Sequence, residues 1–198
     1  MTAGIKANAD GSGAIQVGGS DAITITSGLV VSMNGGPNYP LIAGTAVAST
    51  SGTSIDFTSI PSWVKRITVM FNGVSTNSTN PFLVQIGDSG GIETTGYVSG
   101  NSAIGNQIVG VLATTTVGFM ATSSSVAAQN INGAIVLLNV SGNTWVAQGT
   151  LFMSATATYS IGGTKTLSGT LTQLRIIGST TGSPTDTFDA GSINILYE

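Results

Sequence analysis

A chain of 198 residues with a net charge of −3 is long enough for one domain, or a domain with an arm, and its 41% hydrophobic content supports a packed core. Cysteine and histidine are absent, which excludes disulfides, thiolate nucleophiles, imidazole- or thiolate-held metals and a histidine-based triad. Only 7% of residues are charged, and the five basic ones (Lys6, Lys65, Arg66, Lys165, Arg175) cannot build a phosphate-neutralising surface, so no nucleic-acid partner is expected.

In chain order, residues 1–40 read as an extended arm. Two short strand-like stretches, Ala14 to Val17 and Ala22 to Thr26, each follow a Gly or Asp turn, and no aromatic residue precedes Tyr39. Such a stretch has little to bury alone and would be ordered by a partner. Gly35-Gly36-Pro37 and Pro40 mark a linker.

Residues 41–198 read as an all-β domain. Thr45 to Ser49 and Ser54 to Thr58 flank a turn at Ser51-Gly52. Pro61 to Arg66 is a turn, too short for a helix. Arg66 to Val74 is a strong strand, in which Ile67, Val69 and Phe71 alternate with Arg66, Thr68 and Met70 and predict one buried face. Phe82 to Gly87, Ile92 to Val98 and Gln107 to Val117 follow. Ala134 to Val140 and Thr144 to Met153 form a predicted hairpin across Ser141-Gly142-Asn143. Leu171 to Ile177 and Ser192 to Tyr197 close the chain. Eight to ten strands at about 8–12-residue spacing predict an antiparallel β-sandwich of jelly-roll type.

Glycine, threonine and serine together supply 80 of the 198 residues. Low charge and β-branched apolar clusters oppose a disordered reading. The composition predicts a neutral polar surface, suited to contact with other subunits or with sugars. Met1 to Asp10 lacks the apolar stretch of a secretory signal, and no apolar run reaches the ~18 residues of a membrane helix. Synthesis in the cytoplasm, with no membrane insertion, is the expectation.

Motifs that carry chemistry are sparse. Asp10-Gly-Ser-Gly and Asp88-Ser-Gly-Gly lack the carboxylates of a calcium loop and the helix and lysine of a phosphate loop, and read as turns. Asp186 and Asp189 have a spacing open to acid–base chemistry, but in a strand-rich chain they read as turn caps. Trp63, Tyr97, Trp145 and Tyr159 are the aromatics that could stack on a sugar. Tyr97 and Trp145 are the receptor-contact candidates, although for Trp145 a place in the core at a strand start is favoured. Lys65-Arg66 reads as a solvated strand end. No catalytic residue, cofactor or metal is expected, and the chain reads as non-enzymatic.

Three blocks resemble tail-fibre and related virion appendage proteins of tailed bacteriophages. They are Gly44 to Ser75 (GTAVASTSGTSIDFTSIPSWVKRITVMFNGVS), Pro81 to Tyr97 (PFLVQIGDSGGIETTGY) and Asp186 to Glu198 (DTFDAGSINILYE). The arm stretch Asn8 to Gly19 (NADGSGAIQVGG) resembles segments found ahead of such domains. Residues 99–133 fall outside the likeness, and Gly96 to Ser125 is the candidate for outward-facing loops. The resemblance implies a virion structural protein, a short tail or head fibre whose β-sandwich attaches to the host surface, with a bacterial surface glycan as a partner. It also implies a homotrimer, joined to a tail adaptor or capsid through residues 1–40. The alternative is a capsid decoration (cement) protein that stabilises the shell.

Overall fold

The structure, a computed structural model, describes residues 3–7, 13–17, 20–25, 31–33, 36–38, 41–105, 108–127, 129–154 and 157–198. Thr26, Gly35, Pro40 and Gln107, which bound some expected elements, lie outside the described residues. The chain divides near residue 42 into two compact units.

The first unit is a five-stranded antiparallel meander of β1 (Ala3–Ala7), β2 (Gly13–Val17), β3 (Ser20–Ile25), β4 (Val31–Met33) and β5 (Gly36–Asn38). Its register sets Ile5, Ile15, Ile23 and Met33 opposite one another across four strands. β2 and β3 correspond to the two strand-like stretches expected from sequence, and β1, β4 and β5 were not expected.

The second unit is the expected antiparallel β-sandwich, with no helix among the described residues. Its strands are β6 (Ile42–Ala43), β7 (Val47–Ala48), β8 (Ser54–Phe57), β9 (Arg66–Thr76), β10 (Phe82–Asp88), β11 (Gly91–Ile92), β12 (Val98–Gly105), β13 (Ile108–Thr115), β14 (Phe119–Met120), β15 (Ile131–Ser141), β16 (Thr144–Met153), β17 (Ala157–Thr166), β18 (Gln173–Gly178) and β19 (Phe188–Tyr197). The large sheet runs β13-β12-β17-β16-β15-β9-β19, with β6 and β7 along β19. The small sheet runs β10-β18-β8, with β11 and β14 along the outer edge of β10.

Alternation builds the core. Ile67, Val69 and Phe71 of β9, Ile135 and Leu137 of β15, and Leu151 of β16 point inward from the large sheet. Ile55, Val84, Ile86 and Ile176 meet them from the small sheet. Burying each such side chain contributes about 1.5–3 kcal/mol, set against the chain entropy it costs. Strand β10 is buried along its whole length. Its Phe82, Val84 and Ile86 join the main core, while Leu83 joins a second cluster with Met120 and Ile177, covered by Ala113 and Val117. The chain between β13 and β14 therefore wraps the outer face of the small sheet.

The predicted hairpin is present as β15 and β16, with Gly142 at φ 50° in the connecting turn, a conformation open to glycine at little cost. The expected strand Ile92 to Val98 is corrected: β11 stops at Ile92 and β12 starts at Val98. Residues 93–97 leave the ladder because Glu93 and Tyr97 make side-chain bonds to other strands. In Gly96 to Ser125, the candidate for outward-facing loops, the strand expected over 107–117 is present as β13, and β12, which was not expected, pairs with it at the end of the large sheet.

Candidate functional site

Tyr97 and Trp145, the two receptor-contact candidates, are 1% and 3% exposed and lie in the core. Alternation along β16 turns Trp145 into the core with Ala147 and Leu151. Tyr97 is drawn inward by a polar anchor. Its hydroxyl accepts from the Ile86 amide at 2.8 Å and donates to the Glu93 carbonyl at 2.9 Å. Its ring meets Phe119 edge-on at 5.1 Å between centroids. Burial pushes the phenol pKa well above its ordinary value, so the hydroxyl stays protonated as a donor. Tyr159 is buried, and Trp63 is half-buried against Tyr197 at 5.9 Å.

The acidic candidates serve the fold. Asp186 is buried and accepts from Asn80 Nδ2 at 2.7 Å and from Thr185 Oγ1 at 3.0 Å. Asp189 accepts from Ser75 Oγ. In the turn after β10, Asp88 accepts from the Gly90 amide and from Ser168 Oγ, both at 2.7 Å. The side-chain bond from Ser168, then the backbone bond from Gly90, hold the Asp88 carboxyl below its ordinary pKa.

Lys165, 6% exposed at the end of β17, pairs with Glu93 at 2.5 Å and lies 5.3 Å from the Tyr97 ring centroid. The other Glu93 oxygen accepts from the Ser168 amide at 2.7 Å. Burial alone would raise the Glu93 pKa. The bonds from Lys165 and Ser168 outweigh it, and the net shift is downward. This network ties β10, the 93–97 segment, β17 and the 168–169 loop together. All its members face one another, so its chemistry is that of a clasp between the two sheets. No group of three or more acidic side chains that could hold a metal occurs among the described residues.

The surface feature that stands out lies on the outer face of the large sheet. No charged residue occurs between Glu93 and Lys165, a stretch that supplies all of β12, β13, β15 and β16 and most of β17. Where β13, β12 and β17 adjoin, the face forms an open groove of about 930 Å³. Gly100 of β12 and Gly162 of β17 are register partners and form a floor without side chains. Exposed Val98 and Leu112 stand along it, with the hydroxyl residues Ser102, Thr114, Ser160 and Thr180 among its other walls. Further along the same face, Ile104 and Phe152, 66% and 50% exposed, flank Thr158 in one cross-strand row.

Tyr97 is the one sequence-predicted candidate among the groove's lining residues, and no carboxylate lines it. The signal that could have found it was the charge-free run, together with the glycines and hydroxyl residues that recur in β12 and β17. No described helix is long and apolar enough to cross a membrane. Comparison with protein-family models, with curated proteins and with solved structures gave no match.

Proposed function

We propose that the chain is a non-enzymatic structural protein of a bacteriophage virion, a short tail or head fibre whose β-sandwich attaches to the host surface through the outer face of its large sheet. The observation that carries this reading is the charge-free, hydroxyl-rich part of that face, around β12, β13 and the adjoining part of β17, with its open groove. A neutral polar surface is soluble without charge and can make many weak contacts. The resemblance of Gly44 to Ser75, Pro81 to Tyr97 and Asp186 to Glu198 to phage appendage proteins supplies the virion context. In this reading residues 1–40 join the tail adaptor or capsid, and three copies assemble so that weak sites act together.

One observation favours a second reading, a decoration protein that locks neighbouring shell subunits. The apolar row through Ile104 and Phe152 suits a protein neighbour better than a sugar. Immunogold electron microscopy of intact phage with antibody against residues 41–198 separates the two. Label on the tail or on projecting fibres supports attachment. Label spread evenly over the head overturns it in favour of decoration. Light scattering of the purified chain tests the trimer, and a monomeric mass overturns it.

A further inference from the structure

The floor of the groove contains a glycine that the fold does not require. At Gly100 an added Cβ would lie 2.6 Å from the Ala113 carbonyl oxygen of β13, so close strand packing dictates glycine there. At Gly163 it would lie 2.8 Å from Ser99 Cβ, again too close. Gly162 differs. A Cβ there would meet nothing within 4 Å, and the residue is not among those with left-handed φ. Glycine inside a strand weakens it, since it packs nothing and its chain loses more freedom on folding. Neither neighbours nor backbone geometry explains this cost. The space above Gly162 is the groove itself, and a glycine in a strand also marks close approach by a ligand.

We propose that the groove over Gly162 is the seat of a neutral saccharide, which rests on the attachment reading above and names its ligand class. The lining selects the class. Hydroxyls of Ser102, Thr114, Ser160 and Thr180 can each donate and accept, matching a polyhydroxylated ligand. Val98 and Leu112 offer apolar surface to the C–H faces of a sugar ring. No carboxylate, ammonium or guanidinium lines the groove, so an acidic sugar would lose hydration with no counter-charge in return. The volume of about 930 Å³ lies within the ordinary range for ligand sites. The flat glycine floor lets the ring rest on the backbone, where a side chain would hold it off.

The test uses the full chain and Gly162→Val. Valine suits a strand and has room here, so thermal unfolding should keep or raise its midpoint. The probe is an array of neutral and uronic-acid-containing oligosaccharides, followed by titration calorimetry with the best binder. The expected result is binding to neutral members, weakened at least ~10-fold by Gly162→Val because the new side chain occupies the ligand's place. Unchanged affinity in a folded Gly162→Val overturns the groove assignment, as does a preference for acidic sugars. An array with no binder overturns the saccharide class. If labelled protein still adheres to bacterial cells in that case, the attachment reading survives alone. If it does not, that reading falls as well. A change of oligomeric mass in Gly162→Val, without a saccharide effect, would assign the groove to a second copy of the chain and overturn the proposal.

Discussion

Tyr97 shows how one hydroxyl can decide the course of a chain. Removing it in Tyr97→Phe leaves the Ile86 amide without its partner in a buried place, at a cost of about 1–3 kcal/mol. Denaturant unfolding should show that loss with the slope unchanged. Lys165 and Glu93 are a second such case. Glu93→Gln should destabilise by about 2–4 kcal/mol, because a lysine 6% exposed loses its counter-charge. Glu93→Gln with Lys165→Met should cost less than the two single changes summed, as a double-mutant cycle would show. The pH response follows from the same residues. Asp88 and Glu93 both have folded-state pKa values below their ordinary ones. Their bonds are fully present above the unfolded carboxylate values of about 4 and are lost as pH falls through the lower folded values. Melting temperature should stay level from neutral pH to about pH 5 and drop below about pH 4. Glu93→Gln should flatten that drop, and an unaltered drop would show that other carboxylates govern it.

At the scale of elements, legibility followed periodicity. β9 alternates buried and more exposed positions from Arg66 to Asn72, and its buried face was readable; β16 was readable as a strand. β10 (FLVQIGD) is buried on both faces, Gln85 and Asp88 included, which its sequence permits but does not say. β12 was missed: VSGNSAIG is rich in Gly, Ser and Asn, a composition that predicts loop, and tertiary pairing with β13 and β17 overrides it. The candidate site was missed for the same reason, since it is built where local propensity is weakest. The burial of Tyr97 and Trp145 was illegible for a different reason. An aromatic beside polar residues looks the same in sequence whether its ring turns inward or outward. Bulges also escaped prediction. Gly133 of β15 sits at φ 128°, and an added Cβ would lie 2.5 Å from the Thr150 carbonyl oxygen. Its neighbour Asn132 accepts from the Gly73 amide at 2.9 Å, where β15 slips against β9. Gly133→Ala should therefore destabilise by about 1–3 kcal/mol or more, measured by thermal or denaturant unfolding. The contrast with Gly162→Val, two strands away in the same sheet, separates a glycine kept by the fold from one kept for a ligand.

For the whole molecule, the division near residue 42 makes the second unit a candidate for independent folding, because its core draws on residues from Ile55 onward. A chain lacking residues 1–40 should unfold cooperatively, with a midpoint within a few degrees of the full protein. If the first unit is the joint to the virion, that truncated chain should fail to enter particles, and normal incorporation would overturn the role of the arm. Each sheet has one covered edge and one open edge. β19 is covered by β6 and β7 and β10 by β11 and β14, while among the described residues β13 and β8 each pair with a single strand. The fold class was legible from composition and strand spacing. The pairing order was not, because strands distant in sequence, such as β9 and β19, lie side by side and local patterns carry no record of that.

The charge-free run from Thr94 to Thr164 has a consequence for where such a protein can work. Dissolved ions weaken contacts between exposed charges over a distance of about 10 Å at 0.1 M salt and about 3 Å at 1 M. A face that binds through hydroxyls and apolar surface has almost nothing for those ions to screen. Its hold on a partner should change little between fresh water and brine, and cell adhesion measured from about 10 mM to 1 M sodium chloride should stay nearly flat. The missing charges would then let the protein keep its hold on a neutral partner across surroundings of very different salinity.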